Sequence, residues 1–319
     1  MVNAAAAARV ERLAGHLSRA PQRLAPAPQQ LAAAPCAAAA PAPPQQQQAH
    51  GAETTVFYEV LAGGVALVTL NRPARLNSLT NEMQAQFFDR LDAAEADQAV
   101  RVVVVTGAGR AFCAGAEMEL LQTIGSSTGI EAPRRNVDQV RQLEVSKPII
   151  AAVNGPCAGL GFVLACMADI RFATRDAKIT SAFAKRGLIA EHGISWVLPR
   201  VVGMSHAMDL LLSSRVVLGA EAKEMGLVTK VFDTPEQLMA ETLAYAREMA
   251  RWCSPASMAE IKAQLVRHAN VGAREAFADS YSLMMRSFRH PDSKEGVASY
   301  VQKRDPRFEG LKAGRISES

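Results

Sequence analysis

Apolar residues recur along the chain with two periods, and these periods alternate from about Val56 onwards. Continuous apolar runs at 100–107 and 147–155 predict strands that are buried on both faces. Before the first of these runs, the segment 81–97 predicts a helix, because it spaces its apolar residues by three or four. These residues are Met83, Phe87 or Phe88, Leu91 and Ala94. Strands that alternate with helices predict an α/β fold with largely parallel pairing.

The other predicted elements continue this alternation. Further strands are predicted at 64–71, 168–174 and 226–232. Further helices are predicted at about 134–145, 160–167, 205–213, 219–225, 235–252 and 255–268. The last stretch, 235–303, has the pattern of one helix after another. We expect it to cover the core or to pack on a neighbouring subunit.

The first 52 residues differ in composition from the rest, being rich in Ala, Pro and Gln. Residues 20–52 bury too little apolar surface to offset the entropy lost on ordering, which predicts a disordered linker. The residues before it can form a short arginine-rich helix, which is typical of a targeting signal. Arg9-Val10, followed after five residues by His16-Leu17, resembles a peroxisomal signal read by an import receptor. A mitochondrial or plastid presequence, or a chance match, are the alternatives.

Composition excludes several classes of function. The net charge is +4, and the first fifty residues supply +3 of it through four arginines and one glutamate. The body is therefore nearly neutral, and we expect no nucleic-acid partner. No apolar run reaches the 18 or so residues that a membrane span needs. The five cysteines include no CxxC pair, which fits reduced thiols inside a cell.

The common cofactor motifs are missing or incomplete. In "TGAGRAF", Gly107 and Gly109 match the start of a dinucleotide-binding turn, but Phe112 replaces its third glycine. No Walker A sequence, zinc-ligand spacing or G-x-S-x-G elbow is present. The sequence thus predicts no cofactor.

Two glycine-containing turns remain, and each follows a predicted buried strand. They are "FCAGAEM" at 112–118 and "NGPCAGLG" at 154–161, and the second opens a helix. Glycine allows backbones to approach closely, and a helix start leaves N–H groups unpaired. If the turns converge, two N–H donors could hold a carbonyl oxygen as an oxyanion hole. Two ordinary strand–helix turns are the alternative.

Four ordered motifs resemble the enoyl-CoA hydratase/isomerase (crotonase) family: "NRPARLNSLT", "GAGRAFCAGAEM", "KPIIAAVNGPCAGLG" and "ADIRFAT". The resemblance covers roughly residues 54–310. It implies a spiral of ββα repeats over 53–255 and a helical carboxyl-terminal trimerisation region over 256–319, after the presequence and linker of 1–52. It also implies homotrimers or hexamers and an acyl-CoA thioester substrate, of which coenzyme A is a part rather than a cofactor.

The resemblance also assigns site residues by position. Ala116 and Leu160 would hold the thioester oxygen through their backbone N–H groups. Other residues of the same motifs would bind the substrate or line the coenzyme A channel: Arg75, Leu76, Asn77, Ala114, Gly115, Glu117, Met118, Gly159 and Gly161.

The candidate acid is Glu191. Hydratases of the family use two glutamates, and the matching positions here hold Val163 and Phe183. Glu191 lies where the resemblance to peroxisomal Δ3,Δ2-enoyl-CoA isomerases places a catalytic glutamate. Its apolar neighbours would partly desolvate the carboxylate, which suits a general base. His192 is a rival base, and a solvated acid at a helix start is the plain alternative.

Three functions follow in order of preference. The first is an isomerase of peroxisomal fatty-acid β-oxidation that converts 3-enoyl-CoA to 2-enoyl-CoA, with Glu191 carrying the proton. The second is a hydratase-like enzyme or acyl-CoA hydrolase that uses this one carboxylate. The third is a non-catalytic protein that binds CoA esters.

Overall fold

The computed structural model describes residues 54–118 and 138–313, so the predicted presequence and linker lie outside the described residues. The strands follow the apolar runs, with the addition of one six-residue strand at the start and of three short strands. In chain order they are β1 (Val56–Leu61), β2 (Val65–Leu70), β3 (Val102–Gly107), β4 (Ile149–Val153), β5 (Cys157–Ala158), β6 (Ile170–Thr174), β7 (Lys178–Thr180), β8 (Val217–Leu218) and β9 (Lys230–Phe232).

The helices lie between these strands and then follow one another to the end of the described chain. They are α1 (Asn81–Ala96), α2 (Arg141–Glu144), α3 (Leu160–Met167), α4 (Ile194–Ser213), α5 (Gly219–Glu224), α6 (Pro235–Trp252), α7 (Pro255–His268), α8 (Ala273–Ser287) and α9 (Pro291–Gln302). Each described helix is too short or too polar to span a bilayer.

The main sheet has the strand order β1-β2-β3-β4-β6-β9. Strand β1 pairs antiparallel with β2, and the other neighbours pair parallel. A smaller sheet has the order β5-β7-β8. This parallel-rich α/β arrangement confirms the predicted fold class. The central strands β3 and β4 are buried along their whole length, as continuous apolar runs between two covered faces should be.

Helix α1 shows how the sequence fixes an element. Thr80 precedes it, and its hydroxyl oxygen accepts a hydrogen bond from the Met83 N–H at 3.1 Å, which caps the helix start. The predicted apolar stripe faces the core. The buried residues of this helix are Met83, Gln84, Phe87, Phe88, Leu91 and Ala94. Phe87 and Phe88 are both buried, so both belong to the core-facing side of the helix.

Three predicted elements have other boundaries than expected. Helix α2 covers only four residues of the predicted 134–145, whose beginning lies outside the described residues. Helix α4 starts at Ile194 rather than near 205, and Gly203 breaks it with a non-helical φ of 75°. Strand β9 starts only at Lys230, because the N–H groups of Leu227 and Val228 donate to the Ala222 carbonyl of α5 instead of to a strand.

A partly buried ion pair joins the helical carboxyl-terminal region to the sheet. Lys262 of α7 lies 2.8 Å from the Asp169 carboxylate, and the same carboxylate accepts the Ile149 N–H at the start of β4. The Lys262 ammonium also donates to the Gln142 carbonyl at 2.9 Å. Helices α2 and α7 are therefore fixed to the strand that leads into the second glycine turn.

Candidate active site

The first glycine turn is held along one side by the segment 76–79. The Ala114 N–H donates to the Leu76 carbonyl at 3.0 Å, and the Leu79 N–H donates to the Gly115 carbonyl at 2.8 Å. The Glu117 N–H donates a hydrogen bond to the Leu79 carbonyl at 3.1 Å. These bonds pair the first glycine turn with the segment 76–79 in the manner of two short parallel strands.

The second glycine turn lies along the other side of the first. The Cys113 N–H donates to the Pro156 carbonyl at 3.1 Å, and the Ala158 N–H donates to the Cys113 carbonyl at 2.9 Å. Cys113 and Cys157 thereby form a parallel bridge. The structure thus brings the two turns side by side, at the carboxyl ends of β3 and β4.

Glycine is required where the turns meet. Gly115 has a φ of +103°, and a Cβ placed on it would lie 2.9 Å from the Ala158 carbonyl oxygen. A Cβ on Gly161 would lie 2.2 Å from the Cys113 carbonyl oxygen. Side chains at these positions would force the turns apart, so the close approach depends on glycine.

Two backbone donors lie at the junction of the turns. The Gly115 carbonyl points to Leu79, so the N–H of Ala116, on the opposite edge of the same trans peptide, points towards the side where the second turn lies. Leu160 is the first residue of α3, where the helix itself offers its N–H no acceptor. Within 54–118 and 138–313, neither N–H donates a hydrogen bond. Both can therefore bind an oxygen atom from outside.

The segment 75–77 has an inner and an outer part. Asn77 is fully buried, and its side-chain amide donates to the carbonyls of Ala108 and Ala111 at 3.0 and 2.7 Å. Its side-chain oxygen accepts the Arg72 N–H at 2.8 Å. Asn77 is thus a brace between two loops rather than a side chain open to a ligand. Arg75 is exposed and Leu76 is half-buried.

Glu117 and Met118, at the end of the first glycine turn, lie in different surroundings. The Glu117 carboxylate pairs with the Arg72 guanidinium at 2.9 Å, and the two side chains are 16% and 20% exposed. Met118 is 55% exposed. The sequence interpretation of Glu117 as a residue of the substrate channel missed this ion pair, because Arg72 lies 45 residues away along the chain.

Helix α3 is buried at every residue, and a buried cation holds its end. The Arg171 guanidinium donates to the carbonyls of Cys166 and Ala168 and, at 2.9 Å, to that of Leu227. These bonds satisfy carbonyls that the end of a helix leaves unpaired. Burial lowers the pKa of Arg171. The one sequence signal for this role is the place of Arg171 among the apolar residues of the predicted strand 168–174, where Asp169 is the other charged residue.

The positions that hold glutamate in hydratases lie in the apolar core. Val163 on α3 is fully buried, and Phe183 is 4% exposed. Neither position offers a group that could bind or deprotonate a water molecule.

Glu191 lies in the turn before α4, and its carbonyl accepts the Ile194 N–H at 3.1 Å. Its side chain is 34% exposed, and its carboxylate oxygen lies 3.8 Å from Nε2 of His192. The turn rests on the end of α3, since a Cβ on Gly193 would lie 3.4 Å from the Met167 methyl. In the described residues, no hydrogen bond joins Glu191 to the two glycine turns. Glu191 is connected to the second glycine turn through α3, which begins at that turn and ends against the turn that carries Glu191.

The buried thiols are unsuited to nucleophilic chemistry. Burial raises the pKa of Cys113 and of Cys166 to about 12, and raises that of Cys157 as well. They therefore stay protonated at neutral pH. Among the residues that the structure describes, no group of three or more His, Cys, Asp or Glu side chains is placed to hold a metal ion.

Known proteins are similar to this chain in sequence and in fold. The sequence model of the enoyl-CoA hydratase/isomerase family matches residues 60–312. The 1,2-epoxyphenylacetyl-CoA isomerase of Escherichia coli is 37% identical over 257 residues, which are 77% of this chain and 95% of the relative. The peroxisomal Δ(3,5)-Δ(2,4)-dienoyl-CoA isomerase of Arabidopsis thaliana is 31% identical over 258 residues, with coverages of 76% and 91%.

Solved structures agree with these relatives. The enoyl-CoA hydratase EchA12_1 of Mycobacterium marinum is 47% identical with a TM-score of 0.58, over 67% of this chain and 97% of that one. The enoyl-CoA hydratase of Mycobacterium tuberculosis H37Rv has a TM-score of 0.73 at 27% identity, over 81% and 100%. With most of its length matched in sequence and in fold, the chain belongs to the enoyl-CoA hydratase/isomerase family.

Proposed function

We propose that this protein moves the double bond of an enoyl-CoA from C3 to C2, with Glu191 as the proton carrier. The observation that carries the proposal is the burial of Val163 and Phe183 in the apolar core. Addition of water in this family relies on a glutamate at each of these positions. Glu191 offers one partly exposed carboxylate, and one carboxylate is sufficient for a 1,3-proton shift.

The reaction balances with this acid alone. The Glu191 carboxylate takes a proton from C2, and the electrons of that bond move into the thioester to give a dienolate. The N–H groups of Ala116 and Leu160 hold the oxygen on which the negative charge gathers. The carboxylic acid then returns the proton to C4, which leaves the double bond between C2 and C3. Each donor contributes about 10²–10³ in rate, and the general base about 10²–10⁴.

The names of two relatives support isomerisation, since the proteins from E. coli and A. thaliana are both named as isomerases of CoA esters. The two mycobacterial structures are named as hydratases, which makes hydration the second candidate. In that case Glu191 would activate a water molecule for addition to a 2-enoyl-CoA.

Product analysis separates these candidates. The purified protein is incubated with 3-enoyl-CoA and, separately, with 2-enoyl-CoA, and the thioesters are identified by chromatography and mass spectrometry. The proposal predicts 2-enoyl-CoA from the first substrate and little 3-hydroxyacyl-CoA from the second. Fast formation of 3-hydroxyacyl-CoA without isomerisation would overturn it. Binding of both esters without turnover of either would identify a CoA-ester-binding protein instead.

A further inference from the structure

The ion pair of Arg72 and Glu117 lies beside the first candidate amide donor. Glu117 directly follows Ala116, whose N–H points towards the junction of the two turns. The two side chains are about four-fifths buried, and the charged atoms are 2.9 Å apart. A pair this well shielded from water interacts more strongly than an exposed one.

Arg72 holds more than the carboxylate. Its guanidinium also donates to the Ser78 carbonyl at 2.7 Å. Ser78 precedes Leu79, whose carbonyl accepts the Glu117 N–H. One side chain therefore clamps the end of the first glycine turn to the segment beside it. This clamp fixes the strand edge opposite the one from which the Ala116 N–H emerges.

The pair also has an electrostatic consequence. A CoA ester carries phosphates, and the proposed reaction gathers negative charge on the thioester oxygen. An unpaired carboxylate one residue from the oxyanion donor would oppose both charges. Arg72 cancels that carboxylate at the distance of direct contact.

We propose that Arg72 and Glu117 are positioning residues that aim the Ala116 amide at the thioester oxygen and keep the donor site free of negative charge. Neither side chain touches the reacting atoms. The inference rests on the proposed function, in which this amide stabilises the dienolate. It assigns Glu117 a role other than the substrate contact that the sequence suggested.

The two charges then have unequal effects when removed singly. Arg72→Met leaves a carboxylate beside the oxyanion donor, whereas Glu117→Gln leaves a cation that the substrate tolerates. We expect Arg72→Met to lower kcat for 3-enoyl-CoA about tenfold or more, and Glu117→Gln to lower it less. The double variant Arg72→Met/Glu117→Gln regains part of the loss, because the uncompensated charge is gone. KM should change less than kcat in all three.

A matched control and a second readout separate positioning from simple stability. The control is the ion pair of Arg304 and Glu295 in the carboxyl-terminal region, whose side chains are 36% and 20% exposed. Arg304→Met removes this pair and should leave kcat unchanged. The second readout is the infrared carbonyl frequency of bound butyryl-CoA labelled with ¹³C at the thioester. A donor that polarises this carbonyl lowers its frequency, and Arg72→Met should return it towards the value in water.

The outcomes test the inference independently of the reaction. If the wild type isomerises 3-enoyl-CoA and Arg72→Met leaves both kcat and the carbonyl frequency unchanged, the inference fails alone. It also fails if the double variant is no better than Arg72→Met and every loss follows the melting temperature. If no enoyl-CoA is isomerised but Arg72→Met still removes the frequency shift, the inference stands and the proposed function falls.

Discussion

Burial affects the protonation of His192, the neighbour of Glu191 in the turn before α4. His192 has a pKa below its ordinary value of 6.5, because burial disfavours the imidazolium more than Glu191 and Asp138 favour it. The imidazole is therefore neutral near pH 7. A neutral ring 3.8 Å from the carboxylate leaves Glu191 free of a strong ion pair, as a proton carrier needs to be.

The depressed pKa of His192 makes stability depend on pH. Below about pH 6.5 the unfolded chain binds a proton that the folded chain resists, so the free energy of unfolding falls as the pH falls. His192→Gln removes this dependence. Urea titrations of both proteins at pH 7.5 and 5.5 measure it, and the wild type should lose more stability between these values. Equal losses would show that His192 titrates normally in the folded protein.

The sequence identifies some site residues better than others. Glu191 stands out because it interrupts an apolar stretch, and Val163 and Phe183 stand out because the family pattern expects acids there. The structure buries Val163 and Phe183 and leaves the side chain of Glu191 about one-third exposed. The Arg72–Glu117 pair could not be predicted, since its partners are remote in sequence and each looks like an ordinary surface charge. Whether Glu191 moves the proton stays a prediction.

At the scale of elements, the site is built from two turns and the start of one short helix. The turns touch because glycines stand at the contact, and α3 is held at its far end by Arg171. In the described part of the chain, the Leu160 N–H at the start of this helix donates no hydrogen bond, whereas carbonyls at its end accept bonds from Arg171. This polarity directs donors towards the junction and away from the core.

Substitution of the contact glycine tests this construction. Gly115→Ala combines a φ of +103° with a Cβ only 2.9 Å from the Ala158 carbonyl oxygen. We expect it to reduce the free energy of unfolding by about 2 kcal/mol or more and to lower kcat sharply. Gly187→Ala is the control, because its φ is +70° but nothing lies within 4 Å of its Cβ. It should cost only about 1 kcal/mol. Equal costs would mean that the turns can move apart freely.

Elements with a strong period were predictable, and short ones were not. The central strands and α1 follow their apolar pattern. Strands β5, β7 and β8 have two or three residues, too few to show a period. The sequence pattern does not predict the first half of α4, because it contains Pro199 and Gly203, which are residue types that usually interrupt a helix. The short strands and the first half of α4 therefore depend on tertiary contacts rather than on the local conformational preference of their residues.

At the scale of the whole molecule, large apolar side chains remain exposed on the outer helices. On α4 these recur at every fourth residue, and on α8 they cover one face. The residues are Met204, Met208, Leu212, Phe277, Tyr281, Met284 and Phe288. Exposed patches of this kind commonly mark contacts between subunits. We propose that they join copies of this chain, as the family resemblance implies.

Sedimentation tests this assembly. The chain mass is 34.1 kDa, and we expect a particle of about three or six times that mass at micromolar concentration. Met208→Lys with Leu212→Lys should lower the mass, because charges would then replace an apolar contact. Lys178→Met, on the exposed side of β7, is a control that should leave it unchanged. A single-chain mass for the wild type would contradict the proposal.

The Glu191→Gln variant tests the account most directly, in an assay of 3-enoyl-CoA isomerisation followed by product chromatography. Glutamine keeps the size of the side chain and removes its ability to accept a proton. The account predicts that kcat falls about a hundredfold or more, that KM changes little, and that His192→Gln stays active. Wild-type turnover by Glu191→Gln, or loss of turnover in His192→Gln instead, would contradict it.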